Sequence, residues 1–222
     1  LLMSLDLSVI IVSYNTRDLL RDCLRSVFAS LDCPLPLSRP DASGHLAAEV
    51  WVVDNASADG SAALVATEFP QVRLVANDKN LGFAAANNQA LHQSKGRYVL
   101  LLNPDAVVLG DAFGHLVAFL DENPAAGAAG AVLLNGDGTL QYSCFHFPTL
   151  LMSLFDFFPL NHRVSNSRWN GRYPLRRYAG HPFPIDHPLG ACLIVRRAVA
   201  EKVGWLDADF FMYCEEVDWC LR

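Results

Sequence analysis

The order of apolar and polar segments in this 222-residue chain predicts an α/β protein, a mostly parallel sheet with helices on both faces in a single domain. Three observations carry that expectation. Short Val-, Ile- and Leu-rich runs alternate with stretches of helical periodicity through residue 122. Several of these runs break off into polar turns, as buried strands do where they leave a sheet. Hydrophobic residues are 52% of the chain and charged ones 18%, enough apolar surface for a sizeable core and too much for disorder.

Taken in order, Ser8–Val12 reads as a buried strand, and Ser13-Tyr14-Asn15-Thr16 as a turn and helix cap. Leu19, Leu20, Cys23, Leu24, Val27 and Phe28 then recur at helical spacing. Residues 31–48 hold prolines and a glycine and read as a surface loop. Val50–Val53 is a second strand ending at Asp54-Asn55, followed by a helix over Ser61–Glu68 and a third strand over Val72–Ala76. A helix over Phe83–Lys95 ends at Gly96, the usual residue past a helix C-terminus. The strand Tyr98–Leu102 runs into Asn103-Pro104-Asp105. Beyond residue 122, Asn135-Gly136-Asp137-Gly138 marks a turn between a strand over Ala128–Leu134 and a short one over Thr139–Tyr142. Periodicity is lost over Phe145–Pro184, then returns as a strand, Gly190–Val195, and a short helix, Arg196–Val203. The chain stops at Cys220-Leu221-Arg222 inside a further helix, and a continuation is expected.

The formal net charge of −6 does not favour nucleic acid. Six cysteines without a C-x-x-C pair read as buried or idle thiols of a reducing, cytoplasmic setting. The N-terminal run carries Asp6 and no basic flank, so a signal peptide is not expected, and no uncharged apolar stretch of the ~18 residues needed to span a bilayer occurs.

Parallel strands present their carboxyl ends to ligand. Four segments would line that edge: Ser13-Tyr14-Asn15, Asp54-Asn55-Ala56-Ser57-Ala58-Asp59-Gly60-Ser61, the run from Asn80 through Gly82, Phe83 and Asn87 to Asn88, and Asn103-Pro104-Asp105. A carboxylate fixed by proline at a strand exit suits a divalent cation held against a phosphate. A plain strand-end turn is the alternative.

These segments, with Phe210-Phe211-Met212-Tyr213-Cys214-Glu215-Glu216-Val217-Asp218-Trp219, resemble family 2 glycosyltransferases of the GT-A fold. The branch they are most similar to is the bacterial rhamnosyltransferase-like one, which uses Asn-Pro-Asp where others use Asp-x-Asp. The resemblance covers nearly the whole chain and implies a Rossmann-like domain with an acceptor-side insertion. Residues 1–122 would bind the nucleotide sugar and residues 123–222 the acceptor. It implies that Ser13, Tyr14, Asn15, Asp54, Asn55, Ser57, Asp59, Asn80, Gly82, Phe83, Asn87, Asn103 and Gly190 line the donor site. In this reading Asp54 accepts the ring N–H of the base, or else caps the following helix. Tyr14 packs beside the base, or else in the core. Gly82 admits a diphosphate to the N-terminus of a helix. Asp105 holds Mg²⁺ or Mn²⁺. Gly190 lets the acceptor approach the sugar.

The acids Glu215, Glu216 and Asp218 resemble the family's Glu-Asp-x-Asp motif, whose second acid is the general base, here Glu216. Glutamate stands where aspartate is usual, a shift of about 1 Å in the carboxylate. On a helix Glu215 and Asp218 share a face and Glu216 points about 100° away, so the choice between Glu215 and Glu216 stays open. The implied activity is inverting transfer of a sugar, first of all rhamnose from dTDP-rhamnose or a sugar from a UDP donor, to a glycan or lipid-linked acceptor. A non-catalytic partner in glycan assembly and a sugar nucleotidyltransferase are the alternatives.

Phe145–Pro184 sets Arg163, Arg168, Arg172, Arg176 and Arg177 against one acid, Asp156, after an apolar opening (Phe145, Phe147, Leu150, Leu151, Met152, Leu154, Phe155, Phe157 and Phe158). That pattern suits a lipid-diphosphate acceptor or the cytoplasmic face of the inner membrane. An amphipathic helix covering the sheet explains it equally well. His187 is a further candidate beside the acceptor.

Overall fold

The computed structural model describes residues 5–34, 45–150, 152, 170–178 and 180–222. Its main sheet has six strands: β1 (Leu7–Ser13), β2 (Ala48–Asp54), β3 (Arg73–Ala76), β4 (Tyr98–Leu102), β5 (Ala128–Gly130) and, last in the chain, β10 (Cys192–Arg196), in the order β3-β2-β1-β4-β10-β5. The first four are mutually parallel, and β10 runs antiparallel between β4 and β5. The sheet is therefore mostly parallel, as the alternation of segments predicts. The direction of strand order changes beside β1, where open α/β sheets bind ligands. Two small antiparallel strand pairs, β6 (Leu133–Leu134) with β7 (Leu140–Gln141) and β8 (Cys144–Phe145) with β9 (His187–Pro188), stand outside it.

Alternation along the strands builds two cores. Leu7, Val9 and Ile11 of β1 face α1 (Arg17–Leu31), α2 (Ser61–Glu68) and α4 (Ala112–Glu122), meeting Leu20, Leu24, Val65, Phe113 and Val117. Ile10 and Val12 face α3 (Phe83–Leu91), α5 (Arg197–Val203) and α6 (Glu215–Leu221), meeting Ala84, Ala90, Ala200 and Trp219. The three layers follow from the period-two side-chain alternation of strands buried on both faces.

Several boundaries differ from expectation for tertiary reasons. The helix predicted to run to Lys95 stops at Leu91, because the Lys95 and Gly96 N–H groups turn to Glu49 Oε1 and Ser8 Oγ at the opposite end of the sheet. The strand predicted over Ala128–Leu134 breaks into β5 and β6. Pro188 of β9 packs so closely on Gly130 that a Cβ there would lie 2.4 Å from the Pro188 Cβ. Thr16 does not cap α1 with its side chain, and its hydroxyl pairs with Ser13 Oγ at 2.9 Å instead. Leu151, Leu154, Phe155, Phe157, Phe158, Arg163 and Arg168 lie outside the described residues.

Candidate active site

The carboxyl ends of β1, β2 and β4 open on one rim. The start of β10 joins them because that strand is antiparallel, Cys192 pairing with Leu102. The Asn103 N–H donates to Ala191 O at 3.0 Å, which brings Gly190 and Ala191 to the same edge.

At one end of the rim the loops after β1 and β2 are zipped together. The Asn15 N–H donates to Ser57 Oγ (2.9 Å), and Asn15 Oδ1 accepts from the Ala58 N–H (2.8 Å). Asp59 accepts the first N–H of α1, from Arg17, at 2.8 Å, together with the Ser61 N–H and hydroxyl at 3.0 and 2.6 Å. Burial works against the charge of Asp59, but these hydrogen bonds prevail and hold its carboxyl below the ordinary aspartate range. Asp54 is 3% exposed at the end of β2. Its Oδ2 accepts from the Ser57 N–H at 3.0 Å, while Oδ1 has no hydrogen-bond partner. Asp54 therefore does not cap α2. A buried carboxylate oxygen left open beside a rim is costly unless a ligand donor meets it. Tyr14, half exposed, stands at the surface of this rim rather than in the core.

At the middle, β4 gives way to the Asn103–Asp105 turn. Asp105 is exposed and Asn103 half-buried. The described residues contain no group of three or more His, Cys, Asp or Glu side chains able to hold a metal. One carboxylate does not make a resident metal site. It does fit a cation shared with a diphosphate, because Mg²⁺ takes only one or two protein carboxylates when phosphate oxygens supply the rest.

At the other end, α3 carries the acid-bearing segment. The Phe83 N–H donates to Phe211 O at 2.6 Å, and a Cβ on Gly82 would lie 2.6 Å from that oxygen. Glycine at residue 82 thus admits the protein's own backbone in this structure, and one N–H of the helix terminus is spent on it. Asn88 grips Leu206 twice, donating to its carbonyl (2.7 Å) and accepting from its N–H (3.2 Å). The Trp219 indole N–H donates to Gly204 O (2.8 Å), and Arg222 bonds Val203 O, Trp205 O and Asp218. Asp218 is therefore paired with Arg222. Asn55 and Asn87 are buried at 2% and 1% exposure. Asn55 bonds Asn80 Oδ1, Gly82 O, Asn77 and the Leu81 N–H, and Asn87 donates to Phe83 O. The Asn55 amide thus holds the rim loop, and the Asn87 NH2 group is spent on its own helix.

The two glutamates part company. Glu215 is 6% exposed with Oε2 unpartnered, and burial, aided by the charge of Glu216, lifts its carboxyl above the usual range. Glu216 is half-buried and lies over Gly190, where a Cβ would come within 3.6 Å of its Cγ and Cδ. Glu216 is thus the acid that meets the rim. Among the described residues, the non-glycine residues in the left-handed region are Asn15, Ala56, Tyr213 and Cys214, all in rim loops or at the start of α6. Such strain concentrates at functional sites.

The region after β8 is aromatic and basic. His187 is buried at 8% exposure, its ring between Phe145 and Phe147 with centroids 5.7 and 5.9 Å away, which makes it part of the packing. Arg177 lies over Phe183 at 4.2 Å, and Arg172 over Tyr142 and Phe145. His146 and Asp186 pair at 3.2 Å. All six cysteines are free, with Cys23, Cys144 and Cys192 buried and Cys214 exposed.

Sequence reasoning singled out the rim loops but not Asn88, Trp219 or Arg222 as supports of the acids. Asn87 and Asn88 inside one helix, where asparagine is disfavoured, were the available signal.

This mixed sheet with its loop-built rim is the GT-A fold. The chain belongs to glycosyl transferase family 2, whose model matches residues 8–204. It is 30% identical over 185 residues to the N-acetylglucosaminyl-diphospho-decaprenol L-rhamnosyltransferase of Mycobacterium tuberculosis, covering 76% of this chain and 58% of that protein. It is 24% identical over 221 residues to the low-salt glycan biosynthesis hexosyltransferase Agl10 of Haloferax volcanii, covering 98% of this chain and 61% of the relative. The chain thus spans about three fifths of each relative. Among solved structures, S. aureus TarS 1-349 in complex with UDP superposes with a TM-score of 0.61 at 20% identity, over 98% of this chain and 54% of that one. The mannosyltransferase PcManGT of Pyrobaculum calidifontis, in complex with GDP-Man and Mn²⁺, gives 0.58 at 23% identity, over 94% and 49%.

Proposed function

We propose that this chain is the catalytic domain of an inverting glycosyltransferase, moving a sugar from a nucleotide diphosphate to a hydroxyl of a glycan or lipid-linked glycan. The observation that carries the reading is the open oxygen of Asp54, buried on the rim that also bears Asp105 and Glu216. A pyrimidine base offers a ring N–H that answers it. In this reading residues 1–122 hold the donor and residues 123–222 the acceptor.

Asp105, with Asn103 beside it, would hold Mg²⁺ or Mn²⁺. When bound, the cation offsets the charge that develops on the departing diphosphate. Glu216 takes the proton of the acceptor hydroxyl as its oxygen attacks the anomeric carbon from the face opposite the nucleotide. Gly190 leaves room for that approach. Glu215, buried and with its Oε2 unpartnered, is the alternative base.

We take dTDP-rhamnose as the first donor to test, from the Asn103-Pro104-Asp105 turn and the rhamnosyltransferase among the relatives. A lipid-linked diphosphate acceptor fits Arg172, Arg176 and Arg177, and contact with the cytoplasmic membrane surface follows from it. No helix of the described residues is long and apolar enough to cross a membrane, so such contact would be peripheral for these residues. The test is sugar transfer or donor hydrolysis with dTDP-rhamnose and UDP-sugars. Turnover that falls ~10²–10⁴-fold in Glu216→Gln, with nucleotide binding retained, supports the base assignment. Nucleotide binding without turnover would instead support a non-catalytic role, and pyrophosphate release from a nucleoside triphosphate and a sugar phosphate would support a nucleotidyltransferase.

A further inference from the structure

The turn that carries Asp105 has no regular structure of its own between β4 and α4. Its fixed points come from elsewhere. The Asn103 N–H is held by Ala191 O, and Asn103 O accepts from the Ala106 N–H at 3.2 Å. Asn103 O is also reached by the thiol of Cys23, Sγ to O 3.6 Å. Five residues later the Val108 N–H donates to Ser26 Oγ at 2.9 Å, and that hydroxyl donates in turn to Cys23 O at 2.7 Å. Cys23 and Ser26 are one helical turn apart and face the same way. Helix α1 therefore grips the turn at both ends, with Asp105 between the two grips.

The chemistry suits a permanent grip. Cys23 is fully buried, so its thiol meets the Asn103 carbonyl away from competing water. A thiol is a weak donor, which suits orientation of a carbonyl more than bulk stability.

We infer that Cys23 and Ser26 are positioning residues for the cation held on Asp105, acting by fixing the two ends of the turn. This rests on the reading of Asp105 as the metal ligand. The physical reason is entropic: a carboxylate already held at its binding geometry loses less freedom when a cation and a diphosphate meet on it.

The test is calorimetric titration of UDP and of dTDP, each with Mn²⁺ and with EDTA. It uses the wild type, Cys23→Ala, Cys23→Ser, Ser26→Ala and Asp105→Ala, each with its thermal unfolding recorded. The quantity of interest is the ratio of affinities with and without metal. Cys23→Ala and Ser26→Ala are expected to lower that ratio about 3–10-fold, the range of one lost hydrogen bond, with the EDTA affinity unchanged. Cys23→Ser keeps a donor and is expected to restore most of the ratio. Should Cys23→Ala not fold, the half-buried Ser26→Ala carries the test. A ratio unmoved in Cys23→Ala and Ser26→Ala but abolished in Asp105→Ala would overturn the clamp and leave the metal assignment standing. A ratio unmoved in Asp105→Ala would overturn both. Equal loss with Mn²⁺ and with EDTA would show a fold-wide effect and overturn the positioning role.

Discussion

Replacing Gly82 with alanine strikes the joint between the donor rim and the acid-bearing segment. Gly82 sits at φ 84 and ψ 170, a region essentially reserved for glycine. Forcing an L-residue there costs about 1–3 kcal/mol. The new Cβ would also lie 2.6 Å from Phe211 O and 2.8 Å from Phe211 Cδ2, so the Phe211 backbone must withdraw. Withdrawal breaks the Phe83 N–H to Phe211 O bond, a further ~0.5–1.5 kcal/mol. The joint is thus weakened by roughly 2–4 kcal/mol. If the segment unfolds with the rest, the melting temperature falls by about 4–16 °C for a domain of this size. If it lifts locally, hydrogen exchange at the Phe83 amide rises while the melting temperature holds. Unchanged protection at Phe83 together with an unchanged melting temperature would refute the reasoning.

Asp54→Asn removes the open carboxylate oxygen but keeps an acceptor for the Ser57 N–H. UDP and dTDP affinity should fall ~10–100-fold, the range of a hydrogen bond to a charged group, without loss of thermal stability; unchanged affinity would count against Asp54 as the base-binding residue. Glu215 has its folded pKa raised, chiefly by burial. Its contribution to stability is therefore complete below the unfolded value of about 4.3 and is lost as pH rises through the folded value. Glu215→Gln should gain stability over wild type at pH ~8 and little at pH ~4, and parallel pH profiles of denaturation would contradict this. Asn88→Asp keeps the shape but loses the donor to Leu206 O. Turnover of the donor should fall several-fold with UDP affinity retained, whereas a fall in affinity alone would place Asn88 in the donor site.

Much of the sheet could be read in the chain because its strands are buried on both faces. Leu7–Ser13, Ala48–Asp54 and Tyr98–Leu102 are nearly uniform apolar runs, and their polar exits lie where the rim is. The antiparallel insertion of β10 between β4 and β5 could not be read, because an apolar run such as Cys192–Arg196 carries no sign of its direction. Helix ends failed where a distant side chain took the backbone, as Glu49 and Ser8 do beyond Leu91. In the site, periodicity placed the acids on a helix but left open which one meets the rim. Burial of Glu215 and the contact of Glu216 with Gly190 separate them. Asn55 and Asn87 looked like donor contacts because they share the rim segments. Only their partners show that the Asn55 amide and the Asn87 NH2 group are spent inside the protein.

The most direct test is a crystal of this chain soaked with UDP or dTDP and Mn²⁺. The proposed site requires the base N–H within hydrogen-bond distance of Asp54 Oδ1, and a manganese peak between the Asp105 carboxylate and the diphosphate. Nucleotide bound away from the β1, β2 and β4 exits, or a manganese ion coordinated without Asp105, would contradict it.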